Sequence, residues 1–91
     1  MEIKDKNTTW QTNDFYSAVL VRASGISLIN LMRGNGKFLT FQFSSSPDRC
    51  EEIIKKHWDR TLKIESRLLV ETINELKTRI HEKSKGNYEQ E

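Results

Sequence analysis

The chain is expected to fold as a small single α+β domain, an antiparallel sheet with a central β-hairpin and helices packed on it. Three observations predict this. "ISLINLM" and "KFLTFQF" are β-prone apolar runs separated by Gly34, Asn35 and Gly36, residues that accept the positive φ values of hairpin turns. "SSSPDRCEEIIKKHW" opens with Ser46 as a cap and Pro47 at the first helical position, then repeats apolar residues at helical spacing. The same spacing returns at Leu69, Ile73, Leu76 and Ile80.

Each element follows in order. "MEIKDKN" is polar, and residues 1–8 are expected to form a flexible N-terminus, with the domain spanning 9–83. "TTWQT" is a short, Thr-rich first strand. Thr12 or Asn13 can cap a helix from Asp14 to about Ser24, with Phe15, Ala18, Val19 and Ala23 on its apolar face and Gly25 ending it. The hairpin follows, and its register can be argued. An Asn-Gly turn would set Asn30 opposite Phe41, mixing polar and apolar residues. A three-residue Gly-Asn-Gly loop sets Leu31 opposite Leu39 and Ile29 opposite Phe41, which gives a coherent apolar face. The helix after Pro47 aligns Cys50, Ile53, Ile54, His57 and Trp58 along one stripe toward the sheet. "TLKIE" is an extended piece suited to an edge strand, a last helix runs from about Ser66 to Lys83, and residues 84–91 are expected to be a disordered tail. The resulting order, β-α-β-β-α-(β)-α, is partly ferredoxin-like, because a split β-α-β arrangement begins the same way. The expected core is Phe41, Phe43, Ile53, Ile54, Trp58, Leu69, Ile73 and Leu76.

Composition narrows the function. A chain of 91 residues buries only about 60 to 65% of its unfolded surface, so a partner or a second copy is expected to contribute stability. A formal net charge of +2 does not by itself announce a nucleic-acid binder. One cysteine forms no internal disulfide, no signal-peptide core opens the chain, and the apolar runs are too short to span a bilayer, which together point to a soluble cytoplasmic protein.

No chemical site emerges from the motifs. Cys50 and His57 share a stripe, but seven residues at 1.5 Å rise separate them by about 10 Å, too far for a nucleophile and its base, and both are read as core-edge packing. His81 stands apart, so no metal-ligand spacing exists and no cofactor is expected. Gly34, Asn35 and Gly36 join two strands and lack the Lys-Ser/Thr of a phosphate loop. Glu51 and Glu52 sit early in a helix, where the dipole favours them. "RGNGKFLTF" shares the flavour of the RNA-recognition signature but has an extra residue and lacks its first aromatic, leaving Phe38 as a lone ring on the open face. An enzyme is not expected.

Charge placement says more than total charge. No acidic residue lies between Asp14 and Asp48, whereas Arg22, Arg33 and Lys37 do. A second group, Lys55, Lys56, Arg60, Lys63 and Arg67, surrounds the junction of the last two helices, where solvated helix-end charge is the plain explanation. If nucleic acid is bound, Arg33, Lys37 and Phe38 are the expected primary contacts, with Arg22, Lys55, Lys56, Arg60 and Lys63 as secondary phosphate contacts. Ile26, Leu28 and Met32 alternate with Ile29 and Leu31, so both faces of that strand look apolar, and Leu28 and Met32 are candidate interface residues for a homodimer or a protein partner.

Four stretches, "WQTNDFYSAVLVRASGISL", "GKFLTFQF", Trp58 near the end of its helix, and "INELKTRI", occur in an order that resembles a group of short uncharacterised domains found in bacterial and phage reading frames. The shared pattern is a Thr-x-Asp helix entry, a Gly before the hairpin and Leu-Lys near the end of the last helix. The resemblance covers about Trp10 to Lys83 and implies a compact α+β fold and a mobile-element context, with no catalytic residue to carry over. Two classes of function remain. One is a non-catalytic, nucleic-acid-associated accessory protein binding DNA or RNA through phosphates, and the other is a protein–protein adaptor or homodimeric subunit without nucleic-acid contact.

Overall fold

Strand β1 (Trp10–Thr12) passes into helix α1 (Phe15–Ala23) through three polar residues, each with a separate task. Asp14 is the cap: its carboxylate accepts from the Ser17 N–H at 2.8 Å. Thr12 and Asn13, the expected caps, do other work. The Thr12 hydroxyl accepts from the Asp14 N–H at 3.1 Å, and the Asn13 carbonyl oxygen accepts from the Thr40 hydroxyl at 2.9 Å, tying the helix entry to the sheet. The computed structural model describes residues 8–33 and 39–89. The expected flexible N-terminus up to Asn7, the Gly-Asn-Gly turn, Lys37 and Phe38 lie outside the described residues.

Helix α1 ends as its glycine dictates. Gly25 has φ 100, its N–H reaches the Arg22 carbonyl at 3.0 Å, and the Ile26 N–H reaches Val21 at 3.4 Å. This pair of bonds is a Schellman closure, and its usual apolar contact is available because Val21 and Ile26 are both buried.

Strands β2 (Leu28–Arg33) and β3 (Leu39–Phe43) complete a three-stranded sheet in the order β1-β3-β2, with β3 antiparallel to both neighbours. β1 and β2 are therefore parallel, joined through α1 with β3 inserted between them, which is the split β-α-β arrangement. The fold class is the expected α+β. Register is not as expected: Leu31 faces Phe41 rather than Leu39, Arg33 faces Leu39, and an irregularity between Leu28 and Asn30 leaves Ile29 as the extra residue of a bulge. The bulge has a clear cause. It lets Leu28 and Leu31, three positions apart, both pack on the helix side against the core, while Ile29 turns outward and is 51% exposed. The second face of β2 is accordingly not an apolar sheet surface. Alternation from the inward Trp10, Phe41 and Phe43 puts Gln11, Thr40 and Gln42 on the outer face, with Asn30 and Met32 beside them.

Helix α2 (Pro47–Trp58) begins where the sequence indicates, with the Ser46 hydroxyl accepting from the Arg49 N–H at 3.4 Å and Pro47 in the first turn. Its stripe is buried only in part. Cys50 and Ile53 are buried and Ile54 is half-buried, but every residue from Lys55 to Arg60 is exposed, and Trp58, expected in the core, is 75% exposed. The last turn of α2 runs past the edge of the layer. "TLKIE" forms no strand: Arg60 adopts φ 66, and the Thr61 and Leu62 N–H groups fold back onto the Lys56 carbonyl at 2.9 and 3.1 Å. Leu62 plugs this loop against the core.

Helix α3 (Ser66–Glu89) continues beyond the expected end at Lys83 and takes in most of the expected tail. Good helix formers such as Glu82, Lys83 and Lys85 outweigh the single Gly86 there. Leu76 is fully buried, Leu69, Ile73 and Ile80 are half-buried against the core, and the buried Thr72 satisfies its hydroxyl by donating to the Leu68 carbonyl at 2.8 Å. The centre of the domain is Ala18, Val19, Val21, Ile26, Phe41, Phe43, Cys50, Ile53 and Leu76.

Two truncations separate core from surface. Phe41→Ala is expected to lower unfolding free energy by roughly 3 to 5 kcal/mol in chemical denaturation, whereas Trp58→Ala costs less than about 1 kcal/mol. Equal losses for the two variants would contradict the exposed position of Trp58.

Candidate functional site

The basic residues singled out in the sequence are mostly engaged within the chain. Arg22 Nε lies 3.3 Å from Glu75 Oε2, and Arg79 Nε lies 3.6 Å from the same oxygen, so Arg22 fastens the end of α1 to α3. Lys55 pairs with Asp59 at 3.1 Å, Lys56 with Glu52 at 3.8 Å and Arg67 with Glu71 at 3.1 Å, all one helical turn apart. Arg60 and Lys63 are exposed and have no acidic partner among the described residues. Arg33 is exposed at the end of β2, about 17 Å along the strand from Leu28, where the chain arrives from Arg22 and α1. Of the expected nucleic-acid contacts, Arg22, Lys55 and Lys56 are thus engaged in ion pairs within the chain, while Lys37 and Phe38 lie outside the described residues.

The thiol-imidazole pair is taken apart. Cys50 is fully buried, and burial pushes its thiol up, only partly offset by a hydrogen bond with Ser45. His57 is exposed and stands edge-on to Trp58, with ring centroids 5.2 Å apart. Among the described residues no cluster of three or more His, Cys, Asp or Glu could hold a metal ion, and no helix is long and apolar enough to cross a membrane.

What the helices do build is an apolar groove of about 490 Å³. Tyr16 and Leu20 come from α1, Ile54 and Trp58 from α2, and Leu69 and Ile73 from α3. Its polar fringe is Asp14, Ser17 and His57, and the Asp14 carboxylate is already occupied by the α1 cap. Tyr16, 66% exposed, packs its ring edge-on against Phe15 at 5.2 Å, so the tyrosine is braced although it faces water. Sequence reasoning missed this groove because Ile54, Trp58, Leu69 and Ile73 obey the spacing of core residues. The available signal was Trp58 itself, set in "KKHWDR" among charged neighbours.

The expected interface pair separates as well. Leu28 packs inward against the core, and Met32, opposite Thr40, is half-buried beside the polar outer face.

Because the folded state keeps the Cys50 proton to higher pH than the unfolded chain does, stability is expected to fall as pH rises above the free-thiol value of about 8.5. A thiol-reactive probe should label native Cys50 only at the rate of unfolding. Rapid labelling of the native protein would show the thiol to be accessible and return the cysteine to the list of reactive groups.

No known protein family matches the sequence, and no characterised protein or solved structure of significant similarity is found, so the arrangement must be interpreted from its own chemistry.

Proposed function

We propose that this chain is a small non-catalytic interaction module that holds an amphipathic helix of a partner protein in the groove between α1, α2 and α3. One observation carries the reading: Trp58 and Tyr16, the two most exposed large apolar side chains among the described residues at 75% and 66%, border the same apolar depression. Tryptophan and tyrosine are the residues that most often anchor protein interfaces. The walls are helices whose main-chain groups are already hydrogen-bonded, so an occupant has to satisfy its own backbone, which favours a helix over an extended strand. Charge supports a protein partner over a polyanion. Lys55, Lys56 and Arg67, beside the groove, are each matched by a carboxylate one turn away.

A second reading, nucleic-acid association in a phage or mobile-element setting, is favoured by one specific feature. Arg60 keeps a cation at φ 66, a backbone conformation that costs a non-glycine residue roughly 1 to 2 kcal/mol, and neither it nor Lys63 has an acidic partner among the described residues. With Arg33, and with Lys37 and Phe38 outside the described residues, these would be the nucleic-acid contacts, the cations on phosphates and the Phe38 ring stacked on a base.

The two readings respond oppositely to salt. A labelled synthetic peptide of about four helical turns, with leucines at i, i+3, i+4 and i+7, is expected to bind with little change between low and moderate ionic strength. Trp58→Ala should weaken it at least about tenfold. Absence of peptide binding, together with salt-sensitive oligonucleotide binding that is lost in Arg60→Glu with Lys63→Glu, would replace the adaptor reading with the nucleic-acid one.

A further inference from the structure

Strand β2 is an open edge. β3 pairs with one side of it, and among the described residues no strand pairs with the other. The opposite edge, β1, has only three residues, too few to template another chain. β2 has six, "LINLMR", with a single charge at its end and no proline. Natural sheets protect a long edge with lysines, proline, a covering element or a bulge. Here the bulge at Ile29 guards the first half, and Asn30–Arg33 is left in regular register with β3.

We propose that β2 pairs antiparallel with β2 of a second copy of this chain, joining two three-stranded sheets into one six-stranded sheet across a two-fold axis. This inference is independent of the groove. The main-chain N–H and C=O groups along an open strand edge are matched best by another strand, and antiparallel self-pairing closes with two copies. The register suits self-association. An axis at Leu31 keeps both helix layers on the same side of the sheet, apposes Leu31 with its own copy, and sets Met32 beside Asn30 of the partner subunit. Arg33, the only charge in the strand, then lies two residues from the axis, about 13 Å along the strand from its own copy, so no like charges meet.

Sedimentation velocity of the full chain across the micromolar range is expected to show a species of about twice the 10.7 kDa monomer mass. Ile29→Lys, at an exposed bulge position, should give a folded monomer whose thermal melt no longer rises with protein concentration as the wild type's does, and Trp58→Ala should leave the dimer intact. Hydrogen exchange on the wild type supplies a readout that needs no variant: the β2 amides should become more protected as protein concentration rises. A wild type that stays monomeric throughout, a dimer that survives both Ile29→Lys and Asn30→Pro, or a dimer lost in Trp58→Ala with β2 amides unprotected would each overturn the edge pairing.

Discussion

Phe41 and Phe43 project from the middle strand into the helix layer, and the position of every other element follows from what can pack on those two rings. Phe43 is fully buried, stands opposite both Trp10 and Leu28, and meets the Trp10 ring at 6.2 Å. Phe41 lies opposite Leu31 and receives the edge of Phe15 from α1 at 6.4 Å. In a domain of this size, each such burial contributes roughly 1.5 to 3 kcal/mol, a large share of a net stability of only a few kcal/mol. The bulge in β2 is best understood from this requirement. A regular strand could not bring both Leu28 and Leu31 to rings two positions apart on β3, and inserting Ile29 removes the mismatch.

Three helices over three short strands leave a geometric surplus. The sheet is narrow, α2 needs only Cys50 and Ile53 to seal its own contact, and α3, at 24 residues and about 36 Å, is far longer than any strand it covers. Side chains at the ends of the helical stripes, Ile54 and Trp58 on α2 and Leu69 and Ile73 on α3, have the chemistry of core residues but meet one another around a groove. The ion pairs nearby give rigidity and local neutrality more than attraction, since exposed pairs one turn apart contribute only tenths of a kcal/mol.

The parts of this architecture that depend on nearest neighbours were legible in the sequence. Ser46 and Pro47 start α2, Gly25 stops α1, and the spacing of Leu69, Ile73, Leu76 and Ile80 defines the inner face of α3. The cap was expected at Thr12 or Asn13 with Asp14 inside the helix; all three are capping residue types, and only the sheet, by engaging Asn13 through Thr40, leaves the task to Asp14. Register was illegible for a deeper reason. Turn chemistry argues locally, whereas the bulge answers to rings ten or more residues away. Trp58 was misplaced because helical periodicity reports which residues share a face and not how far the neighbouring layer extends. "TLKIE" has strand composition, yet the left-handed backbone at Arg60 directs it elsewhere.

The central strand is the last of the three to be made. Trp10 must wait for Phe43, and β2 for the residues after it, so a nascent chain ending before Leu39 carries two strands and a helix with nothing to join them. β1 and β2 are parallel and separated by the width of the absent strand, and they cannot pair with each other in the native order. The hairpin can close early, because its strands are neighbours in sequence, while β1 pairs with β3 across about thirty residues. On the ribosome, then, the β2 segment passes through a period of full exposure before β3 covers one of its sides and sets the bulge at Ile29.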